Sequence, residues 1–303
     1  MNEPSREYMV NVRRLSFHVA EWGDPRNVPV LLLHGRSASA IDLQHLAASL
    51  ADRYRVVAFD QRGHGLSDWP GRYTHRLLQA DVEGVAKVIG MEKFALIGHS
   101  MGGGLAWAYA ARHPEDVRCL VILDASPEPP GVHEPNEPSP QTPAGLTTPE
   151  EIITWAAALG WAKRIGRQDL GRWLTRYARR GPDGTYVAGF DEPGYNRAYD
   201  SGHMRPSNRT DWRTISRITC PTWSWSVSTG SWAGSSGGCW RSVSASASSW
   251  SSLAPVMPCT SKTCRPRSPQ SARSSPPTCR NPQFRPTGRL AEGRRRARWT
   301  RSS

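Results

Sequence analysis

This chain is organised around the stretch Phe94-Ala95-Leu96-Ile97-Gly98-His99-Ser100-Met101-Gly102-Gly103. Four apolar residues lead directly into a Gly-x-Ser-x-Gly pattern, and an alanine-rich segment follows. This order predicts a buried strand, a sharp turn and a helix, with Ser100 at the apex of the turn. The glycines allow strand and helix to approach closely because they carry no Cβ. We interpret Ser100 as a nucleophile on a strained turn; the alternative is a glycine-rich turn with an incidental serine.

Two other motifs precede this turn in the chain. The first is Val30-Leu31-Leu32-Leu33-His34-Gly35, and the second is Phe59-Asp60-Gln61-Arg62-Gly63-His64-Gly65-Leu66-Ser67-Asp68. In this order and spacing the three motifs resemble those of the α/β-hydrolase superfamily, and the resemblance extends from about Leu15 to Thr222. It implies an α/β fold in which a mostly parallel sheet is flanked by helices and carries an inserted helical cap.

The resemblance also implies a reaction. Ester or other small acyl substrates would be hydrolysed through a serine nucleophile and an acyl-enzyme, and C–C bond hydrolysis and cofactor-free haloperoxidase chemistry are related possibilities. A serine at the apex argues against the dehalogenases and epoxide hydrolases that use an aspartate nucleophile. No cofactor and no metal is implied.

The resemblance gives roles to residues around the turn. Ser100 would be the nucleophile, and the backbone N–H groups of Arg36 and Met101 would form the oxyanion hole. His34 is expected to be a structural turn residue rather than a catalytic one. The residues expected to support the turn are His34, Gly35, Gly98, His99 and Gly102.

The histidine base that this chemistry requires is not found. In the family the base follows the last strand, whereas every histidine here precedes residue 204: His18, His34, His45, His64, His75, His99, His113, His133 and His203. Asp124, at the end of a predicted core strand, is a candidate acid, although the family more often draws the acid from the next strand. The chain is therefore expected to be nearly inactive, and a non-catalytic binding protein or a degraded gene product remains an alternative.

The chain divides into three parts by composition and pattern. Residues 1–126 and 212–222 are predicted to form the hydrolase core, and residues 127–211 the helical cap. The cap begins with a proline-rich linker, and Thr148-Pro149-Glu150-Glu151 predicts the start of a helix. A second cap helix would present one apolar face, made of Leu170, Trp173, Leu174 and Tyr177. We expect most of the cap tryptophans to pack against the core and one or two to line a substrate cavity: Trp155, Trp161 and Trp173.

Residues 223–303 have a different composition. They contain 20 serines and 13 lysines or arginines against one acid, Glu292, so they carry +12 of the formal charge of +13. A segment so poor in leucine and isoleucine is predicted to be disordered, and the strand due after Thr222 is predicted to be missing. An evolved Ser/Arg tail that binds nucleic acid is one interpretation.

A shift of the reading frame explains more of this segment. Trp223-Ser224-Trp225-Ser226-Val227-Ser228-Thr229, written in GC-rich codons and read one base earlier, becomes Leu-Val-Val-Val-Gly-Glu-His, a strand and the start of a loop. By the same shift, residues 255–269 resemble the histidine loop and final helix of the family, with the histidine codon straddling Cys259 and Thr260. We therefore expect a frameshifted C-terminal third.

The remaining features limit location and partners. Only Cys119 and Cys220 lie in the globular part, which suits a reducing compartment, and the four tail cysteines match no zinc pattern. The N-terminus carries Glu3 and Glu7 without an apolar core, so no signal peptide is expected. The expectation is a cytoplasmic protein with a small acyl substrate, no specific nucleic acid partner and no membrane contact. The oligomeric state is left open.

Overall fold

The computed structural model describes residues 3–125, 142–158, 170–171, 174, 178–181, 183–187, 189–204, 216–226, 231–236 and 239–243. Their strands are β1 (Arg6–Val12), β2 (Leu15–Trp22), β3 (Val28–Leu33), β4 (Tyr54–Phe59), β5 (Phe94–His99), β6 (Val117–Leu123), β7 (Arg179–Arg180), β8 (Tyr186–Val187), β9 (Thr222–Ser226), β10 (Ser231–Ser236) and β11 (Cys239–Val243). The helices are α1 (Gln44–Leu50), α2 (His75–Val88), α3 (Met101–Arg112), α4 (Pro149–Ala158) and α5 (Glu192–Asp200), with a 3-10 turn over Ala40–Leu43.

Within these residues nine strands form one sheet in the order β1-β2-β4-β3-β5-β6-β9-β10-β11, while β7 and β8 pair separately. The central strands β4, β3, β5, β6 and β9 run parallel, whereas β1 and β2 are antiparallel. Parallel neighbours require crossover connections, and the segments that contain α1, α2 and α3 provide them. The predicted α/β architecture with a mostly parallel sheet is confirmed.

The apolar run of β3 shows why the central strands need no polar face. Leu31 and Leu33 belong to the core cluster that includes α2 and α3 residues, whereas Val30 and Leu32 belong to the cluster of Ile41 and its neighbours on the opposite face. Successive side chains of a strand point to opposite faces, so a strand covered on both sides reads as a continuous apolar run. The sequence alone therefore identifies β3 as central.

Strand β1 was not predicted. Its burial alternates only at its end, where Val10 and Val12 are buried, and its other side chains are exposed or half-buried. It pairs along its whole length with β2 and occupies the edge of the sheet. An edge strand of this kind is stabilised by backbone pairing rather than by an apolar pattern, so the sequence signal is weak.

The sheet extends beyond the predicted end of the core. The sequence predicts that the next strand after Thr222 is missing, but β9 pairs in parallel with β6, and β10 and β11 follow as antiparallel strands. The strands therefore continue past Thr222, while the division of the chain into core, cap and tail stays a prediction. The open edge of β6 offers backbone N–H and C=O groups that any extended segment can satisfy. Trp223 and Trp225 alternate with serines at the period of a strand. Residues 244–303 lie outside the described residues.

The described part of the cap contains the predicted helix start. Thr148 N–H donates to Glu151 Oε2 (3.0 Å), and Glu151 N–H donates to Thr148 Oγ1 (3.3 Å), which is the expected reciprocal cap of α4. Leu170 and Leu174 are buried in one cluster with α4 residues, and Trp155 packs against that cluster. Residues 127–141 of the predicted linker, together with Trp161, Trp173 and Tyr177, lie outside the described residues.

Two glycines allow β3, β5 and α3 to meet. A Cβ on Gly98 would lie 2.4 Å from the carbonyl oxygen of Gly102, and a Cβ on Gly102 would lie 2.3 Å from the carbonyl oxygen of Leu33. Backbone atoms of a packed strand cannot move aside as a flexible side chain can. In contrast, a Cβ on Gly104, in the same helix, would meet no atom within 4 Å.

This contrast predicts opposite effects of the same substitution in α3. Gly102→Ala should lower the free energy of unfolding by about 1–3 kcal/mol because the added methyl group overlaps β3. Gly104→Ala should raise it by about 0.5–1 kcal/mol, since alanine favours a helix more than glycine does. Urea unfolding of both variants checks this expectation, and equal effects at the two positions would contradict it.

Candidate active site

Ser100 lies at the junction of β5 and α3, in the conformation expected of a sharp turn. Its backbone has φ +48° and ψ −117°, and it immediately precedes Met101, the first residue of α3. Its N–H donates to the carbonyl oxygen of Leu123 (2.9 Å), and its carbonyl accepts from Gly104 N–H (3.2 Å). The residue is exposed. A non-glycine residue with positive φ is strained, so the neighbouring strand and helix hold the serine in place.

The turn after β3 packs directly against this serine. A Cβ on Gly35 would lie 3.2 Å from Ser100 Cβ and 2.9 Å from His99 Nδ1, so any larger residue would displace both side chains. Arg36 follows Gly35, and Met101 follows Ser100. The structure therefore brings together the two segments that carry the predicted oxyanion donors, at the N-terminus of α3, where free N–H groups favour negative charge.

His34 is fully buried and held from both ring nitrogens. Its Nε2 accepts from the backbone N–H of Gln61 (2.9 Å), so the proton resides on Nδ1, which donates to the carbonyl oxygen of Gly35 (2.8 Å). Burial lowers the pKa of His34, which keeps the ring neutral. These bonds join the turn after β3 to the loop after β4, consistent with a structural rather than catalytic ring.

His64 fixes the other side of the same turn. Its Nε2 accepts from Ser37 N–H (3.3 Å), and its Nδ1 donates to the carbonyl oxygen of Arg62 (3.1 Å). The ring stacks on Phe190 with centroids 5.6 Å apart. Burial lowers the pKa of His64 well below its usual value, so this ring is also neutral. The sequence did not identify this role, because the partners of His64 are distant in the chain.

Asp60 organises the loop that carries His64. Its carboxylate accepts from Ala40 N–H (2.7 Å), Leu66 N–H (2.9 Å) and His18 Nδ1–H (2.9 Å), and the residue is fully buried. A Cβ on Gly65, whose φ is +49°, would lie 2.2 Å from Asp60 Oδ2. These contacts make the loop a scaffold that joins β4 to the residues around it.

No histidine among the described residues donates to or accepts from Ser100 Oγ. Four more of them have partners elsewhere in the fold: His18 with Asp60, His75 with Gln79, His113 with Glu83 and His203 with Ser201. His45 lies on the exposed side of α1, and His133 lies outside the described residues. The described structure thus brings no base to the serine.

Asp124, the candidate acid, follows β6 and lies beside the turn at Ser100. It is exposed, has φ +51°, and its N–H donates to the carbonyl oxygen of Trp225 in β9 (2.7 Å). Burial lowers the pKa of His99, and the nearby charge of Asp124 opposes that shift. The candidate acid is therefore close to His99, whose ring packs against Gly35.

The helix α5 contributes residues near the turn that the sequence did not predict. The guanidinium of Arg36 lies 4.7 Å from the centroid of the Tyr199 ring. Burial raises the pKa of Glu192, while hydrogen bonds and the charge of Arg36 oppose the shift. Tyr195 donates its O–H to the carbonyl oxygen of Arg62 (2.9 Å), which fastens α5 to the loop after β4.

One group of potential metal ligands occurs among the described residues. His113, Glu115 and Asp116 follow α3, and one ligand atom from each lies within 4.8 Å of the others. His113 Nε2 already lies 3.1 Å from Glu83 Oε1, and the group is not part of the turn around Ser100. None of the described helices is both long enough and apolar enough to cross a membrane.

The family model for the alpha/beta hydrolase fold matches residues 28–182, half of the chain. This chain belongs to the alpha/beta hydrolase fold family. The matched residues include the turn after β3, the loop after β4 and the turn at Ser100.

The curated relatives cover a range of hydrolases. Epoxide hydrolase 3 of Xenopus tropicalis is 36% identical over 123 residues, which are 40% of this chain and 33% of that protein. A serine hydrolase-like protein of Danio rerio is 38% identical over 34% of this chain and 32% of its own length. The 2-(acetamidomethylene)succinate hydrolase of Mesorhizobium japonicum is 33% identical over 39% of this chain and 42% of its own length. The chain thus spans about a third to two fifths of these relatives.

Solved structures confirm the fold. The thioesterase domain from the curacin biosynthetic pathway superposes with a TM-score of 0.59 at 21% identity, covering 72% of this chain and 81% of that one. E-2-(acetamidomethylene)succinate hydrolase superposes with a TM-score of 0.57 at 21% identity, covering 72% and 78%. At this identity the likeness concerns the fold alone.

The buried neutral histidines predict an acid-sensitive fold. Burial is the main cause that lowers the pKa of His75 to about 4, against about 6.5 in an unfolded chain. Below pH 6.5 the unfolded state therefore takes up a proton that the folded state does not, so stability is complete above this pH and falls towards pH 4. His75 alone should account for a loss of about 3 kcal/mol, and His34 and His64 act in the same direction.

Urea unfolding between pH 7.5 and pH 4.5 measures this dependence. His75→Gln should reduce the decrease in the free energy of unfolding across that range, because the substituted side chain does not titrate. An equally steep decrease in the variant would show that His75 is not the group responsible.

Proposed function

We propose that this chain carries an acyl-hydrolase site in which Ser100 is the nucleophile and the base is missing. The observation that carries the proposal is the strained, exposed position of Ser100 against Gly35 at the N-terminus of α3. Such a turn presents the hydroxyl to substrate and places backbone N–H groups where an oxyanion would form. A relative that is 38% identical over 34% of this chain is named a serine hydrolase-like protein, and this name supports a serine nucleophile.

In the proposed reaction Ser100 Oγ attacks the carbonyl carbon of an ester or another small acyl substrate. The N–H groups of Arg36 and Met101 would donate to the oxyanion of the tetrahedral intermediate. This intermediate would collapse to the acyl-enzyme as the alcohol leaves with the proton of the serine hydroxyl, and water would then release the acid and regenerate Ser100. A serine hydroxyl is a weak nucleophile at pH 7 unless a base removes its proton. Since the described histidines are engaged elsewhere, this chain should carry out the attack slowly.

We attribute the missing base to a shift of the reading frame after Thr222. The strand β9 supports this view, because it occupies the sheet position beside β6 with a Trp-Ser pattern where the shifted frame, in GC-rich codons, would encode Leu-Val-Val-Val. With the same codons the shifted frame would also encode a glutamate after this strand and a histidine farther on. The nucleotide sequence around Thr222 tests this attribution directly.

The two free thiols, Cys119 and Cys220, support our proposal of a cytoplasmic location.

The second candidate is a non-catalytic protein that binds acyl compounds in the same site. The lack of a histidine partner for Ser100 among the described residues favours it. Saturable binding of an ester without turnover, unchanged in the frame-restored chain, would support binding rather than catalysis.

Ester hydrolysis separates these possibilities. With p-nitrophenyl acetate the chain should show at most the acceleration of about 10³–10⁴ over water that oxyanion donors and binding leave in a serine hydrolase without its triad. Ser100→Ala should therefore change the rate little, because the hydroxyl is not activated. The frame-restored chain should hydrolyse the ester at a much higher rate and lose that gain on Ser100→Ala.

One result would contradict the proposal. If the chain as it stands hydrolyses the ester at ordinary enzyme rates, and Ser100→Ala abolishes them, a histidine already present serves as base. His99→Ala and His133→Ala would then identify which one.

A further inference from the structure

A second polar site lies on the outer face of α2. A cleft of about 550 Å³ is lined by four arginines, one acid and three other residues: Arg13, Arg72, Thr74, Arg76, Leu77, Ala80, Glu83 and Arg112. The charged side chains give the lining a formal balance of +3. None of these residues belongs to the turn at Ser100 or to the turn after β3.

The four arginines come from four separate segments. Arg13 lies in the turn between β1 and β2, Arg72 in the loop before α2, Arg76 in the first turn of α2, and Arg112 at the end of α3. All four are exposed. Guanidinium groups brought together by the fold repel one another unless an anion lies between them. Arginines along one helix would form an ordinary solvated face. The convergence of arginines from four segments needs a different explanation.

The nearby carboxylates neutralise only part of this group. Asp81 is occupied by the buried guanidinium of Arg62, whose Nη2 lies 2.6 Å from Asp81 Oδ1. Glu83 accepts from Arg112 and from His113. Among the described residues, the side chains of Arg13, Arg72 and Arg76 make no hydrogen bond and no ion pair.

The hairpin turn between β1 and β2 supplies an independent observation. Val12 pairs with Leu15, so Arg13 and Arg14 form a two-residue loop, and their φ angles are +50° and +67°. Two left-handed residues define the type I′ turn, for which Asn-Gly is the preferred sequence. Arginine at both positions is strained, and strain of this kind concentrates at functional positions.

Packing against α2 also fixes the position of the hairpin turn that carries Arg13. A Cβ on Gly84 of α2 would lie 2.2 Å from Val12 Cγ1, so the glycine lets the end of β1 pack closely against the helix. This contact holds the hairpin turn beside the α2 face that carries Arg76 and Glu83. Arg13 consequently lines the cleft, whereas Arg14, its neighbour in the turn, does not.

We propose that this cleft binds a diphosphate group. The guanidinium fork matches phosphate oxygens in a bidentate manner, and several arginines surround one anion more favourably than one does. A diphosphate carries more negative charge than a single phosphate and suits a lining of +3. Leu77 and Ala80 add an apolar wall that an attached organic group would contact.

Two substitutions in the same turn give a matched test. Arg13→Asn and Arg14→Gly each remove one positive charge and each relieve a left-handed residue, so both should raise Tm by about 2–4 °C. Only Arg13→Asn should weaken the binding of inorganic pyrophosphate, by about tenfold, because only Arg13 lines the cleft. Calorimetric titration of the full-length chain at constant ionic strength measures this difference. The basic C-terminal residues are the same in every variant.

A third variant and two further ligands complete the experiment. Arg76→Gln, on the surface of α2, should weaken pyrophosphate binding by about tenfold without touching the turn, and orthophosphate should bind more weakly than pyrophosphate to the unsubstituted chain. Titration with ADP in place of pyrophosphate distinguishes a nucleotide from the free anion. Tighter binding of ADP would show that the nucleoside contacts the apolar wall. Equal binding would show that the site recognises the diphosphate alone.

Three results would overturn the proposal. Absence of pyrophosphate binding at physiological ionic strength is the first. Equal weakening by Arg13→Asn and Arg14→Gly is the second, since it would show a diffuse charge effect. The third is binding confined to DNA or to anionic vesicles, which would identify an electrostatic surface rather than a diphosphate site.

Discussion

The close contact between β3, β5 and α3 is the constraint on which the site depends. Gly98 faces the carbonyl of Gly102, and Gly102 faces the carbonyl of Leu33, at separations that leave no room for a Cβ. The chain can pass from β5 into α3 over so short a distance only through a left-handed residue, and Ser100 takes that conformation. Its hydroxyl is therefore exposed at the N-terminus of a helix. The exposed, strained position of Ser100 follows from this backbone packing.

The histidines illustrate how a fold can use a catalytic residue type for other purposes. His34 and His64 are buried, neutral and hydrogen-bonded at both ring nitrogens, so they join the turns around Ser100 instead of acting on it. Their low pKa values are a consequence of burial. Two imidazoles therefore belong to the scaffold around Ser100, and neither bonds to its hydroxyl.

The sequence was informative where interactions are local and less so where they are distant. The strand β3, the turn at Ser100 and the cap of α4 follow from patterns within about ten residues, and the structure agrees with them. The pairing of β1 with β2 and the stacking of His64 on Phe190 involve partners that no local pattern specifies. The strand at Thr222–Ser226 shows a third case, because an open sheet edge can recruit a segment whose composition predicts disorder. The roles of the site residues and the frameshift stay predictions.

The reactivity of Ser100 towards a fluorophosphonate probe tests the central claim most directly, because the probe reports activation of the serine without a substrate being known. Labelling followed by intact mass should be very slow for this chain, and no faster than for a chain with Ser100→Ala. It should become rapid only when the frame after Thr222 is restored. Rapid labelling of Ser100 in the present chain, at a rate that rises with pH around the pKa of a histidine, would show that a base is already in place. That result would contradict the account.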